Sequence, residues 1–179
     1  MIYFADEYPV LAKNTEVLNG LELNINDRHG LLKNIKAQLK INWQGIHGIA
    51  HWSRVKYHGR KIGIARGADL LVLELFAFLH DSKRENDGYD PGHGLRAARY
   101  TKSLNGRYFN LTNSQLAQLC EAMENHTNGY KHDDVTIQSC WDSDRLDLGR
   151  VDIKPSPDYL SEEASAYITQ AYAWSRKLG

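Results

Sequence analysis

Cysteine is scarce in this chain: Cys120 and Cys140 are the only 2 among 179 residues, and neither sits in a Cys-x-x-Cys pair or beside histidines at zinc-finger spacing. That excludes a disulfide-stapled scaffold and a thiolate metal cage, and leaves two reduced core thiols in an intracellular protein as the reading. A bilayer-length apolar run is also missing, since the longest, Leu70 to Leu79, is short and interrupted by Glu74. The start "MIYFADEYPV" has no basic region leading into an apolar stretch, so a soluble, cytoplasmic protein is expected. Charge is balanced, with 22 Lys and Arg against 22 Asp and Glu and no block of one sign. A membrane surface or an extended nucleic-acid surface is therefore not expected, and any nucleic acid would be bound locally. Repeats and low-complexity tracts are absent. What remains is a length suited to one domain with a real core.

The signals that are present are helical. Residues 1–30 have weak periodicity and read as an arm packed on the domain that follows at 31–179. Leu31, Leu32, Ile35 and Leu39 form a stripe at helical spacing, and a second helix is expected from about Ile46 to His58, ending at "YHGR". "GADLLVLELFAFLHD" is rich in Leu, Ala and Phe rather than β-branched residues, which favours a buried helix over a strand. A short helix is expected from Leu95 to about Leu104. Thr112 followed three residues later by Gln115 makes a capping box, opening a helix that carries Leu116, Leu119, Cys120, Met123 and then His126 on one face. A shorter helix is expected to begin near "DSDRLDLG" and stop at Gly149, and a last one to start at Ser161. The sum is an all-α single domain, a bundle of six or seven helices with an irregular N-terminal arm.

Four positions combine imidazole and carboxylate: His51, His80, Asp81 and Asp144. Such a set suits a borderline or hard divalent ion such as Mn, Fe, Ni, Mg or Zn. Adjacent helical residues diverge by about 100°, so His80 and Asp81 reach one ion only at a helix end or where helices converge. Taken singly each has an ordinary explanation: a helical His is commonly a hydrogen-bonded core residue, and an Asp after a helix is commonly a turn former.

Their order carries more. "AHWSRV" with His51, "FAFLHDSKR" with His80 and Asp81, and "CWDSDRLDLGRV" with Asp144 resemble the HD-domain superfamily of metal-dependent phosphohydrolases, over a region from about Ile46 to Val151. The segments "HGIAHWSRV" and "HDSKREND" look like small bacterial HD proteins. The resemblance implies an HD-like helical bundle, the metal ligands His51, His80, Asp81 and Asp144, and a second-shell or capping place for Asp142. In binuclear members two further histidines hold a second ion; His93 and His126 are the residues available here. One ion is therefore expected, or two if this pair joins.

A phosphate ester also needs cationic donors near the metal. Lys83, Arg84, Arg54 and Arg145 are the expected substrate-binding residues, with Arg84 and Arg145 on non-bridging oxygens. Asp81 is expected to bridge metal and nucleophile, and Glu85 or Asp142 to handle protons. His47, at i,i+4 from His51, is otherwise the histidine to watch. The function expected is hydrolysis of a phosphomonoester or phosphodiester, a nucleotide or small phosphorylated metabolite. Two alternatives stand beside it: a catalytically weak metal- or nucleotide-binding regulatory module, and an oxygenase of the di-iron HD type. An oligomer is compatible with the sequence.

Overall fold

Residues 27–177 are described by a computed structural model. They form α1 (Arg28–Gln38), α2 (Ile49–Arg66), α3 (Leu70–Leu79), α4 (His93–Leu104), α5 (Asn113–Asn125), α6 (Val135–Arg145), α7 (Glu162–Ser165) and α8 (Ile168–Arg176), with 3-10 turns at Leu148–Val151 and Pro157–Tyr159. No strand occurs among the described residues, and none of their helices is long and apolar enough to cross a membrane. The expected arm lies outside the described residues except for its last four, because Asp27 caps α1 by accepting from the Gly30 N–H.

Helix α3 is the axis of the bundle. Asp69 starts it by accepting from the Leu71 and Val72 amides, two of the donors that a helix N-terminus leaves without partners. Its Val72, Leu75, Phe76, Phe78 and Leu79 are fully buried among Trp52 and Val55 of α2, Leu119 and Met123 of α5, and Ile137 of α6. Each such side chain contributes roughly 1.5–3 kcal/mol of transfer free energy. Glu74, the charge that interrupts this run, is buried and accepts from both Arg28 Nε and Lys56 Nζ at 2.7 Å. A second, smaller cluster of Ile62, Leu146, Leu160, Ala164 and Ala171 seats the C-terminal segment on α2.

Two helix boundaries differ from expectation. Helix α2 runs through "YHGR" to Arg66, and its end is Gly67, whose φ of 70° turns the chain into the left-handed region. The glycines inside it serve packing: a Cβ on Gly63 would lie 2.4 Å from Leu73 Cδ1, so this residue sets how closely α2 approaches α3. The second difference is at "DSDRLDLG", which was expected to open a helix and instead closes one. Asp134 caps α6 through the Thr136 and Ile137 amides, and Asp142 and Asp144 fall in the last turn. The capping box at Thr112 and Gln115 is present, as is the Ser161 cap, which accepts from Ala164 N. The C-terminal helix is split, with α7 ending at Ser165 before α8 begins, so eight α-helices stand among the described residues.

Candidate metal centre

Five helix ends meet at one end of the bundle. His51 is in the first turn of α2, His80 follows the last residue of α3, His93 opens α4, His126 follows α5, and Asp144 is in the last turn of α6. All five are buried, as is Asp81. The break after α3 settles how adjacent residues reach one place: Ser82 N–H turns back to the Leu79 carbonyl at 3.1 Å, which swings Asp81 under His80.

The four imidazoles share one arrangement. His51 Nδ1 donates to Asp147 Oδ2 at 2.7 Å, His80 Nδ1 to the Phe76 carbonyl at 3.0 Å, His93 Nδ1 to the Asp90 carbonyl at 2.5 Å, and His126 Nδ1 to the Met123 carbonyl at 2.7 Å. For His126 the acceptor is a carbonyl that a helix C-terminus leaves unpaired, while the Phe76 carbonyl accepts from the His80 backbone N–H at 3.0 Å as well as from its ring. With Nδ1 turned to these acceptors, each ring presents its Nε2 inward, as metal-ligating histidines do. His51 Nε2 lies 3.1 Å from His80 Nε2, and His93 Nε2 lies 2.8 Å from His126 Nε2.

Asp81 stands between these two pairs. Its Oδ2 is 3.6 Å from His51 Nε2 and 3.4 Å from His80 Nε2; its Oδ1 is 3.2 Å from His93 Nε2 and 3.9 Å from His126 Nε2. Asp144 Oδ1 adds to the first pair, 3.4 Å from His51 Nε2 and 3.9 Å from His80 Nε2, and is buried with no hydrogen-bond donor. Burial works to raise the pKa of Asp81, but the imidazoles, His80 first, outweigh it and hold the carboxyl well below its usual range. Asp144 is also held low against burial, chiefly by His80 and Arg150. Burial pushes His51 well down and His126 down to about 4, keeping both neutral. His80 is drawn up by Asp81 in spite of its own burial, so positive charge is favoured where the two carboxylates meet.

Converging lone pairs, ionised buried carboxylates and an orphaned buried carboxylate oxygen fit a cation. Two groups of buried side chains could each hold one ion, His51–His80–Asp81 and Asp81–His93–His126, with Asp81 common to both. The donors are nitrogen and oxygen only, which suits the borderline and hard divalent ions.

A cavity of about 490 Å³ opens above this centre, with Asp81, Asp144 and His126 at its floor. His47 lines it while Nδ1 pairs with Asp87 Oδ1 at 3.0 Å. The basic residues singled out in the sequence divide. Arg84 lines the cavity, its Nη1 3.5 Å from Asp81 Oδ1, while Nε and Nη2 donate to the Asn86 and Gly88 carbonyls. Arg145 also borders it, but its guanidinium donates to the carbonyls of Tyr130, Tyr159 and Gly129, which ties loops together. Arg54 is buried on Asp147, with Nε to Oδ1 at 2.5 Å and Nη2 to Oδ2 at 3.0 Å.

Lys83 and Glu85 point elsewhere. Lys83 Nζ donates to Gln38 Oε1 and lies over the Tyr100 ring, and Glu85 pairs with Lys40 at the surface. Asp142 faces away from the histidines: it accepts from Ser161 N at 3.1 Å, Ser161 Oγ at 2.5 Å and Gln138 Nε2 at 2.7 Å, anchoring the C-terminal segment to α6.

Sequence reasoning passed over Asp147, which orients His51, and Arg150, whose Nη2 lies 3.9 Å from Asp144 Oδ1. Asp147 makes its contact 96 residues from His51, and no local pattern marks that pairing. The one available signal was the density of charge in "DSDRLDLGR", too much for an ordinary short helix.

No family model and no curated protein matches the chain. Among solved structures, it is similar to one described as a predicted HD superfamily hydrolase from an uncultured Thermotogales bacterium. The TM-score is 0.63 and the identity 23%, over 91% of this chain and 92% of that one. The chain therefore has the fold of the HD-domain superfamily, with its buried His and Asp residues gathered where the helix ends converge.

Proposed function

We propose that this protein is a metal-dependent phosphohydrolase acting on a phosphomonoester or phosphodiester, with a nucleotide or another small phosphorylated metabolite as substrate. The observation that carries the proposal is Asp81: one buried carboxylate faces two histidine pairs, with a cavity of about 490 Å³ above it bordered by Arg84, Arg150 and Lys154. A volume of that size lies within the usual range for small-molecule sites.

His51, His80, Asp81 and Asp144 would hold one ion, and Asp81, His93 and His126 a second. A divalent ion in such a centre polarises a phosphoryl oxygen and lowers the pKa of a bound water. The protein's own contribution is positional. Asp147, Phe76, Asp90 and Met123 fix the rings from behind, so the inward nitrogens need no reorganisation. Arg84 and Arg150 place positive charge beside the floor, where the added charge of a phosphoryl group in flight needs it.

The test is phosphate release from a panel of nucleotides and simple phosphate esters by protein stripped of metal and reloaded with Mn, Fe, Ni, Mg or Zn in turn. Turnover that returns with the metal supports the proposal. A fully loaded protein that binds nucleotides without hydrolysing any ester would instead favour a regulatory module. Stoichiometric iron with consumption of dioxygen would favour an oxygenase.

A further inference from the structure

The segment after α6 is built around one unusual residue. Asp152 has φ of 61°, the sole non-glycine among the described residues in the left-handed region, a conformation that costs an L-residue free energy and recurs at functional sites. It reverses the chain after the Leu148–Val151 turn, and the Ile153 amide closes the reversal on the Leu148 carbonyl at 3.2 Å. Residues on both sides of this reversal, Arg150, Val151, Ile153 and Lys154, line the cavity over the candidate metal centre.

Arg150 differs from the other guanidinium groups there. Its Nε donates to the Ile46 carbonyl at 2.9 Å and its Nη1 to the Asp147 carbonyl at 3.1 Å, which fixes the plane of the group. Nη2 is left at the cavity wall, 3.9 Å from Asp144 Oδ1 and too far for a hydrogen bond. Arg145 has spent donors on loop carbonyls, and Arg84 has spent Nε and Nη2 in the same way and holds Nη1 on Asp81 Oδ1 at 3.5 Å and near His93 Nε2 at 3.4 Å. Lys154 adds an exposed, movable cation on the same segment. The same cavity also has apolar lining: Val151, Ile153 and Tyr159 border it and are 36%, 53% and 46% exposed.

We propose that residues 150–159 are the specificity element of this site: Arg150 and Lys154 grip the non-bridging oxygens of a phosphomonoester, and Val151, Ile153 and Tyr159 cover the apolar or planar organic group attached to it. The substrate class is thus a small phosphomonoester with an apolar or aromatic moiety next to the phosphate. This rests on the phosphohydrolase reading for its chemistry but not for its binding, and the two are tested apart.

Inert phosphonates separate them. The full-length, Mn-loaded protein is titrated calorimetrically with methylphosphonate and with phenylphosphonate, and metal content is measured for every variant. The wild type is expected to bind both, phenylphosphonate more tightly. Arg150→Gln is expected to weaken both by about ten- to a hundredfold, the range for a hydrogen bond to a charged group. Lys154→Gln touches no candidate ligand and should weaken both by roughly threefold or more. Ile153→Ser should erase the preference for the phenyl group and leave methylphosphonate binding as it was. The proposal is overturned if the loaded wild type binds neither phosphonate, if Arg150→Gln and Lys154→Gln both bind like wild type, or if Ile153→Ser keeps the full phenyl preference. A wild type that binds both probes with the expected losses but hydrolyses no phosphate ester would support this inference while defeating the phosphohydrolase reading.

Discussion

Replacing Asp147 by Asn should uncouple what this residue does for the fold from what it does for the metal centre. The carboxylate is fully buried and receives three donors: Arg54 Nε on Oδ1, and Arg54 Nη2 and His51 Nδ1 on Oδ2. Asparagine supplies one acceptor oxygen, so either orientation sets its NH₂ against an N–H of Arg54 or His51. The Arg54 charge also loses its counter-ion in the interior, a loss worth roughly 3–5 kcal/mol. Against a total stability of about 5–15 kcal/mol this is severe, and should appear as a large drop in the urea midpoint. The double variant Asp147→Asn with Arg54→Leu removes the stranded charge and should recover most of that stability. Metal affinity should not recover with it, because His51 still lacks its carboxylate partner. The expected loss there is about ten- to a hundredfold, read by competition with a metallochromic chelator. If Asp147→Asn unfolds at the wild-type midpoint and binds metal as tightly, then neither the buried ion pair nor the ring-orienting role exists as described.

Other expectations are simpler to state. Gly94→Ala would set a Cβ 2.1 Å from the Met123 carbonyl, forcing α4 and α5 apart; overpacking of this kind costs about 1–3 kcal/mol. It should also part His93 from His126, so metal analysis should show a second ion lost while the first is kept. His58 is buried with an unpartnered Nε2, and burial lowers its pKa to about 4. The unfolded chain takes up this proton first, so the stability tied to neutral His58 is complete above about pH 6.5 and is lost as pH falls towards 4, by roughly 3 kcal/mol at most. His58→Leu should therefore show a shallower decline in stability than wild type over that pH range, and parallel declines would contradict the assignment.

Much of the helical frame was legible because its signals are local. The capping box at Thr112 and Gln115, the Ser161 cap and the apolar run of α3 each depend on residues within a turn or two. The misplaced boundaries have tertiary causes. Gly59 and Gly63 look like breakers, yet they allow α2 to lie close to its neighbours, Gly63 against Leu73 and Gly59 near Ser143. At "DSDRLD" a helix start was expected, whereas the segment closes α6, where Asp144 faces the histidines and Asp142 holds Ser161.

The candidate site was legible as an order of residue types, His51, then His80–Asp81, then Asp144, but not as a shape. The basic residues show why. Arg54, Arg84 and Arg145 lie beside suspected ligands in sequence, yet their donors go largely to Asp147 or to loop carbonyls. Arg150 reaches the cavity from the Leu148–Val151 turn, a placement that no periodicity announces.

The most direct measurement is the metal stoichiometry of wild type, Asp81→Ala and His126→Gln after stripping and reloading with Mn, with circular dichroism to show that each is folded. Since Asp81 faces both histidine pairs, two ions per chain are expected for wild type, one for His126→Gln, and none held tightly by Asp81→Ala. An Asp81→Ala protein that is folded and retains the wild-type metal content would contradict the claim that this carboxylate is the centre of the site.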